Sequence, residues 1–412
     1  MAELIYNENG RLLFTEEMRN EYTLLMPQML PIHFEMIANI FRRYGYNVDL
    51  LTTTHSQIVT EGLQDVHNDT CYPALLVIGQ MIDAIKSGKY DTNKVALLMA
   101  QTGGGCRASN YIHLLRKALI RNDLAHVPVV SFSAFGIEKN PGFKLTMPII
   151  YQMLSVCFYG DVLMDVANQT RPYEINEGET DRLVLKWVER LSKEATGLRH
   201  FKKYVGQIVD EFSHIPVKRT EKIRVGIVGE IYVKYAPLGN NNLEEFLHDE
   251  GVEVIVPGLM GFIMYCLDNV MVEARTYRRK KFRAFLFRRF LPIVLRLERN
   301  IIQVMKQYPD YRPPDPFHDK KKHLDGYVSD CTCMGEGWLL TAEMLELVHT
   351  GTPNIICTQP FGCLPNHIVG KGMIRAIRKH HPEANIVAID YDPGATRVNQ
   401  ENRIKLMLAN AR

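Results

Sequence analysis

The chain has 412 residues, 46% of them apolar and 23% charged, and a formal net charge of only +3. That length exceeds one ordinary core, so two or three domains are expected. The near-neutral balance gives no warrant for a general nucleic-acid or membrane partner, and no apolar run approaches the ~20 residues of a membrane span. The start, Met1-Ala2-Glu3-Leu4-Ile5-Tyr6-Asn7-Glu8, carries neither the basic nor the apolar segment of a secretory signal. A cytoplasmic protein is expected. There, eight cysteines read as buried thiols, metal ligands or reactive groups, not disulfides.

In chain order, strands and helices alternate. Strands are predicted at 22–27, 47–51, 95–100 and 127–132, and helices at 33–44, 73–86 and 109–120. Long helices are predicted over 145–170 and 180–212. A charged segment near 213–222, containing Pro216, reads as a crossover. The period then restarts, with strands at 224–229 and 252–256 and a helix at 242–249 between them. A helical insertion covers about 260–307, ended by Pro313, Pro314 and Pro316. Strand 325–329, helix 337–350, strand 354–357, helix 367–379, strand 385–390 and a helix from about 395 complete the chain. Alternating βα units argue for an α/β protein of two parallel-sheet domains, residues 1–215 and 216–412.

Six of the cysteines fall in four clusters where a strand pattern meets a turn: Cys71, Cys106, the pair Cys331 and Cys333, and Cys357 with Cys363. Soft sulfur ligands beside glycines and prolines suit an iron–sulfur cluster, because small residues let backbone amides approach the sulfides. Cys106, Cys331 and Cys357 each read as following or ending a strand, at the edge where doubly wound sheets bind ligands. Cys71 precedes a helix with Pro73 in its first turn, a position that favours a thiolate. No Cys-x-x-Cys pair and no histidine at zinc spacing is present. The spacing alone leaves a redox thiol pair or inert thiols open. Cys157 and Cys266 lie in apolar runs and read as core.

Longer words carry more information. His67-Asn68-Asp69-Thr70-Cys71-Tyr72-Pro73, Gln101-Thr102-Gly103-Gly104-Gly105-Cys106-Arg107-Ala108-Ser109-Asn110-Tyr111 and Gln359-Pro360-Phe361-Gly362-Cys363-Leu364-Pro365-Asn366-His367 are three of them. With Glu138 to Phe143, Gly335-Glu336-Gly337-Trp338 and Asp390 to Gly394, they resemble the 2-hydroxyacyl-CoA dehydratase superfamily. The likeness is greatest to its double-cubane branch and to the dehydratase-like module of activase fusion proteins. It runs from about Tyr22 to Ala411.

The resemblance implies two Rossmann-like domains with extra helices and a cluster in the cleft between them. It implies reduction by an actin-like ATPase activase carrying its own [4Fe–4S] cluster, and a homodimer. In double-cubane members an [8Fe–9S] cluster needs six thiolates, and Cys71, Cys106, Cys331, Cys333, Cys357 and Cys363 supply six. An iron–sulfur reductase acting on a small substrate is therefore expected. If Cys331 and Cys333 are incidental, a single [4Fe–4S] cluster and a dehydratase-type subunit follow instead. A non-catalytic electron carrier stays open.

Other residues have dual readings. Gly103-Gly104-Gly105 lacks the Gly-Lys-Ser/Thr of a phosphate loop; it either lends N–H groups to a cluster or makes a tight turn. Gly104, Gly105 and Arg107 are the expected cofactor contacts. Glu230, Glu336 and His367 are candidate proton donors, and the alternative for each is structural bonding. Arg278 to Lys281 with Arg283, Arg288 and Arg289, interleaved with phenylalanines, reads as an activase-docking or CoA-phosphate surface or as a solvated helix face.

Overall fold

The computed structural model describes residues 2–102, 104–133, 138–194, 197–278 and 281–411. Two four-stranded sheets, all parallel, organise the described residues. The first comprises β1 (Thr23–Pro27), β2 (Asn47–Leu51), β3 (Val95–Ala100) and β4 (Val129–Phe132), in the order β2-β1-β3-β4. The second comprises β5 (Arg224–Gly229), β6 (Glu253–Ile255), β7 (Asn354–Pro360) and β8 (Asn385–Tyr391), in the order β6-β5-β7-β8. The two orders are topologically equivalent. Each is a doubly wound α/β unit of Rossmann-like type, with the crevice at the carboxyl ends of its central strands.

The strands read as near-continuous apolar runs because helices cover both faces. Helix Tyr72–Lys86 packs against helix Gln57–Asp65 so closely that a Cβ on Gly79 would meet the Ile58 carbonyl. One apolar core joins Leu25, Leu76 and Ile78 of the first unit to Val225, Ile227 and Val254 of the second. The boundary near residue 215 thus separates the sheets but not their cores. Helix Met147–Thr170 lies between them; the span Met147–Tyr173 is long and apolar enough to cross a membrane, and 67% of its most apolar window is buried inside the protein.

Four sequence expectations change. Residues 325–329 form turns instead of a strand: Gly326 takes φ 86°, and the N–H groups of Tyr327 and Val328 both return to Leu324 O. The stretch expected as one helix over 180–212 is two helices, Glu179–Glu194 and Phe201–Ser213. β7 runs on to Pro360, because its residues are buried throughout and pair in register with β8 as far as Tyr391. The helix expected at 367–379 begins as a wide turn over Asn366–Gly370 and becomes α-helical only at Ile374–His380.

Candidate metal centre

Three of the six clustered cysteines sit at helix N-termini near one another, where the charge of one acts on the next. Cys71 is the N-cap of helix Tyr72–Lys86, with Pro73 in the first turn. Cys106 precedes the short helix Arg107–Ser109, reached from β3 through the glycine turn, in which Gly104 takes φ 77°. Cys363 follows β7 and precedes the turn Asn366–Gly370. Backbone N–H groups near each sulfur favour its charged form: Ala74 at Cys71, Ala108 and Arg107 at Cys106, and Asn366 at Cys363. Those donors belong to the unpaired first turn of a helix and favour negative charge.

A short clasp brings the two units together. The Tyr72 N–H donates to Phe361 O at 3.0 Å. Gly362 passes Cys71 so closely that a Cβ there would lie 3.2 Å from the Cys71 Cα. Gly362 is at φ 78°, a conformation that favours glycine. Cys71 and Cys363 are thereby neighbours across the clasp, and the charge of each thiolate would oppose the other.

Two carboxylates complete the cleft. Gly229, at φ 142°, runs against Thr358 with no room for a side chain, so β5 delivers Glu230 directly beside β7. The Glu230 carboxylate accepts from Val233 N–H at 2.9 Å. Glu336 Oε1 accepts from Ile231 N–H at 3.0 Å. Both are buried, at 9% and 8% exposure. Burial, then the Glu336 charge, pushes the Glu230 carboxyl up to about 8. Burial likewise raises Glu336. Behind them Lys234 Nζ sits 3.2 Å from both carboxylate oxygens of Glu343, a buried ion pair.

Burial pushes the Cys71 thiol up to about 12, with Glu230 adding to the effect. Burial and then Glu336 raise Cys363 well above the ordinary thiol range, and burial raises Cys106. The bare site therefore holds neutral thiols. A bound cation would reverse this, since thiolate is the ligating form.

The remaining three sequence-assigned ligands are elsewhere. Cys357 is mid-strand and fully buried in the core cluster with Leu340, Met344 and Val369, because β7 extends three residues past it. Cys331 and Cys333 lie on a loop, not at a strand end. Cys331 Sγ is 3.4 Å from Thr276 Oγ1, and Cys333 Sγ donates to Asp330 O at 3.1 Å. Their loop still abuts the Cys106 turn: a Cβ on Gly105 would lie 2.7 Å from the Met334 terminal methyl. Cys157 is buried as expected, whereas Cys266 is exposed, since helix Leu259–Tyr277 turns that position outward.

Arg107 and His367 are exposed, Arg107 just after Cys106 and His367 one turn after Cys363, where its N–H donates to Cys363 O at 3.2 Å. Gly103, Arg279 and Lys280 lie outside the described residues. In helix Lys281–Met305, Phe282, Phe285 and Leu286 are exposed alongside the basic residues. Sequence reasoning missed Tyr111, whose hydroxyl donates to Cys71 Sγ at 3.1 Å. Its position on helix Tyr111–Arg121, which starts five residues after Cys106, was the available signal.

Among the described residues, no three His, Cys, Asp or Glu side chains stand close enough to hold a single metal ion. No protein-family model and no curated protein matches the chain.

Proposed function

We propose that the chain holds an iron–sulfur cluster between its two sheets, takes low-potential electrons from a separate ATP-driven activase, and acts on a small substrate in the same cleft. The observation that carries this reading is the approach of Cys71, Cys106 and Cys363 from two different units, with Cys71 and Cys363 held side by side by the Tyr72–Phe361 clasp. Three thiolates suit one [4Fe–4S] cluster with one iron left for substrate. That favours the dehydratase-type lyase, acting on a 2-hydroxyacyl thioester, over the six-thiolate reductase. The double-cubane reductase is the second reading, favoured by the Met334–Gly105 contact that seats the Cys331–Cys333 loop against the Cys106 turn. Against it, Cys357 is enclosed in its own apolar cluster, which leaves that reading five thiolates near the cleft, one short of the six it needs.

When bound, the cluster would supply single electrons and a Lewis-acidic iron. The chain's own residues supply the rest. Glu230, raised to about 8 by burial and then by the Glu336 charge, keeps a proton at neutral pH and offers it at the cleft, beside Glu336, which burial also raises. Tyr111 donates to Cys71 Sγ and withdraws charge from that sulfur. Arg107 and His367, exposed beside the cysteines, are placed to hold an anionic group of the substrate.

The test is iron and sulfide content after anaerobic reconstitution. About four irons per chain are expected. Cys71→Ser, Cys106→Ser and Cys363→Ser should each lose most of the iron, while Cys357→Ser keeps it. About eight irons, with loss also in Cys331→Ser and Cys333→Ser, would move the assignment to the double cubane. Wild-type protein that takes up no iron, or only zinc, ends both readings.

A further inference from the structure

Away from the cysteines lies a recess of roughly 130 Å³. It is bounded by helix Met147–Thr170, the start of helix Leu259–Tyr277, helix Lys281–Met305, the 312–315 loop and helix Gly337–His349. The volume is close to that of an engineered cavity that admits benzene, about 150 Å³. Part of the wall is hydrocarbon, including Met260, Met264 and Ile301. The rest is charged. Five acids line it (Asp161, Asp165, Glu298, Asp315 and Glu346) against only two bases, Arg312 and Lys320.

Much of that charge is already engaged. Asp161 bonds to His33 Nε2 at 2.8 Å and accepts the N–H groups of Leu259 and Met260 at 2.8 and 2.6 Å. Asp165 accepts from Gln169 Nε2 at 2.9 Å, and Glu298 accepts from Phe317 N–H at 2.8 Å. Arg312 pairs with Glu253. Lys320 Nζ lies 2.9 Å from Glu346 Oε1. The other oxygen of that carboxylate, Glu346 Oε2, has no hydrogen-bond partner among the described residues, although the residue is only 8% exposed. Buried polar atoms are almost always bonded, so a bare acceptor at a recess points to a donor that enters it.

Sign and shape narrow the guest. An excess of carboxylates selects a cation, and the carbon wall selects one with an aliphatic stem. A bare metal ion fits poorly, since no three acids among the described residues converge at ligand distance. We propose that this recess binds a small aliphatic ammonium ion, its –NH3+ donating to Glu346 Oε2 and its carbon chain lying on Met260, Met264 and Ile301. The proposal is independent of the metal centre.

The probe is butylammonium chloride, titrated into the full chain by calorimetry and by saturation-transfer NMR on the butyl methyl group, with 1-butanol and sodium chloride as controls. Butylammonium should saturate a site that butanol and sodium do not occupy. Glu346→Gln should weaken binding at least tenfold. That variant leaves Lys320 without its partner, so Gly261→Leu provides a second arm. A Cβ on Gly261 meets nothing within 4 Å, so the leucine grows into the open space of the recess with every charge retained. It too should weaken binding at least tenfold. If wild-type protein shows no saturable butylammonium binding, if butanol binds equally well, or if both folded variants bind like wild type, the site is not what we infer.

Discussion

Glu230 carries opposed demands. Its carboxylate caps helix Ile231–Tyr235 by accepting from Val233 N–H, which favours the ionised form. It is also buried beside Glu336, which favours the neutral form, and burial wins: the carboxyl is raised from 4.5 to about 8. The sign of the consequence is fixed. Between about pH 4.5 and about 8 the folded state keeps a proton that the unfolded chain has released, so stability falls as pH rises through that window. Glu346, raised to about 7, and Asp165, raised to about 6, act in the same direction. The wild-type curve alone therefore does not isolate Glu230. The difference between Glu230→Gln and wild type does, because glutamine keeps an oxygen for Val233 and cannot ionise. Thermal melts should show the variant gaining on wild type between about pH 5.5 and pH 8. A difference that stays flat across that range would remove the elevated carboxyl, and with it the neutral-pH proton assigned to the cleft.

At the scale of elements, the site is a set of helix starts. Cys71, Cys106 and Glu230 each stand where a helix begins, and Cys363 stands just before a helical turn. Their positions depend on how tightly those helices seat. Helix Tyr72–Lys86 is the most constrained: Gly62 and Gly79 let it approach helix Gln57–Asp65 until a Cβ on Gly79 would lie 2.8 Å from Gly62 N. Alanine at 79 would gain about 1 kcal/mol of helix propensity, yet the contact is backbone on backbone and cannot rotate away. Overpacking of this kind costs about 1–3 kcal/mol or more, so Gly79→Ala should lower the denaturant midpoint despite its better helix former. An unchanged or raised midpoint would mean that the helices part freely and do not fix Cys71. The cap at Cys71 was readable in the sequence, because Pro73 in a first helical turn is a local signal. The misplacement of Cys357, by contrast, has a non-local cause. Strand ends are set by ladder partners, and β8, thirty residues away, carries β7 on to Pro360. The strand expected at 325–329 failed through Gly326, whose positive φ no pattern of apolar residues reveals.

For the whole molecule, the repeated strand order explains why distant residues share one cleft. β3, β5 and β7 are all central strands, and their carboxyl ends deliver Cys106, Glu230 and Cys363. Alternation of strands and helices was enough to read two parallel sheets from the sequence. It could not show how the units meet, since that contact is made by scattered side chains with no period of their own. Ile78 on one unit and Ile227 on the other are both fully buried in a single continuous core. Domains joined only by a linker would unfold separately; units sharing a core unfold together. Scanning calorimetry should therefore give one transition for the full chain. Ile78→Ala and Ile227→Ala should each destabilise by about 2–5 kcal/mol and move that one transition. Two resolved peaks, each shifted by only one of the substitutions, would mean that the sheets fold independently and that a cleft gripping one cofactor from both sides lacks its scaffold.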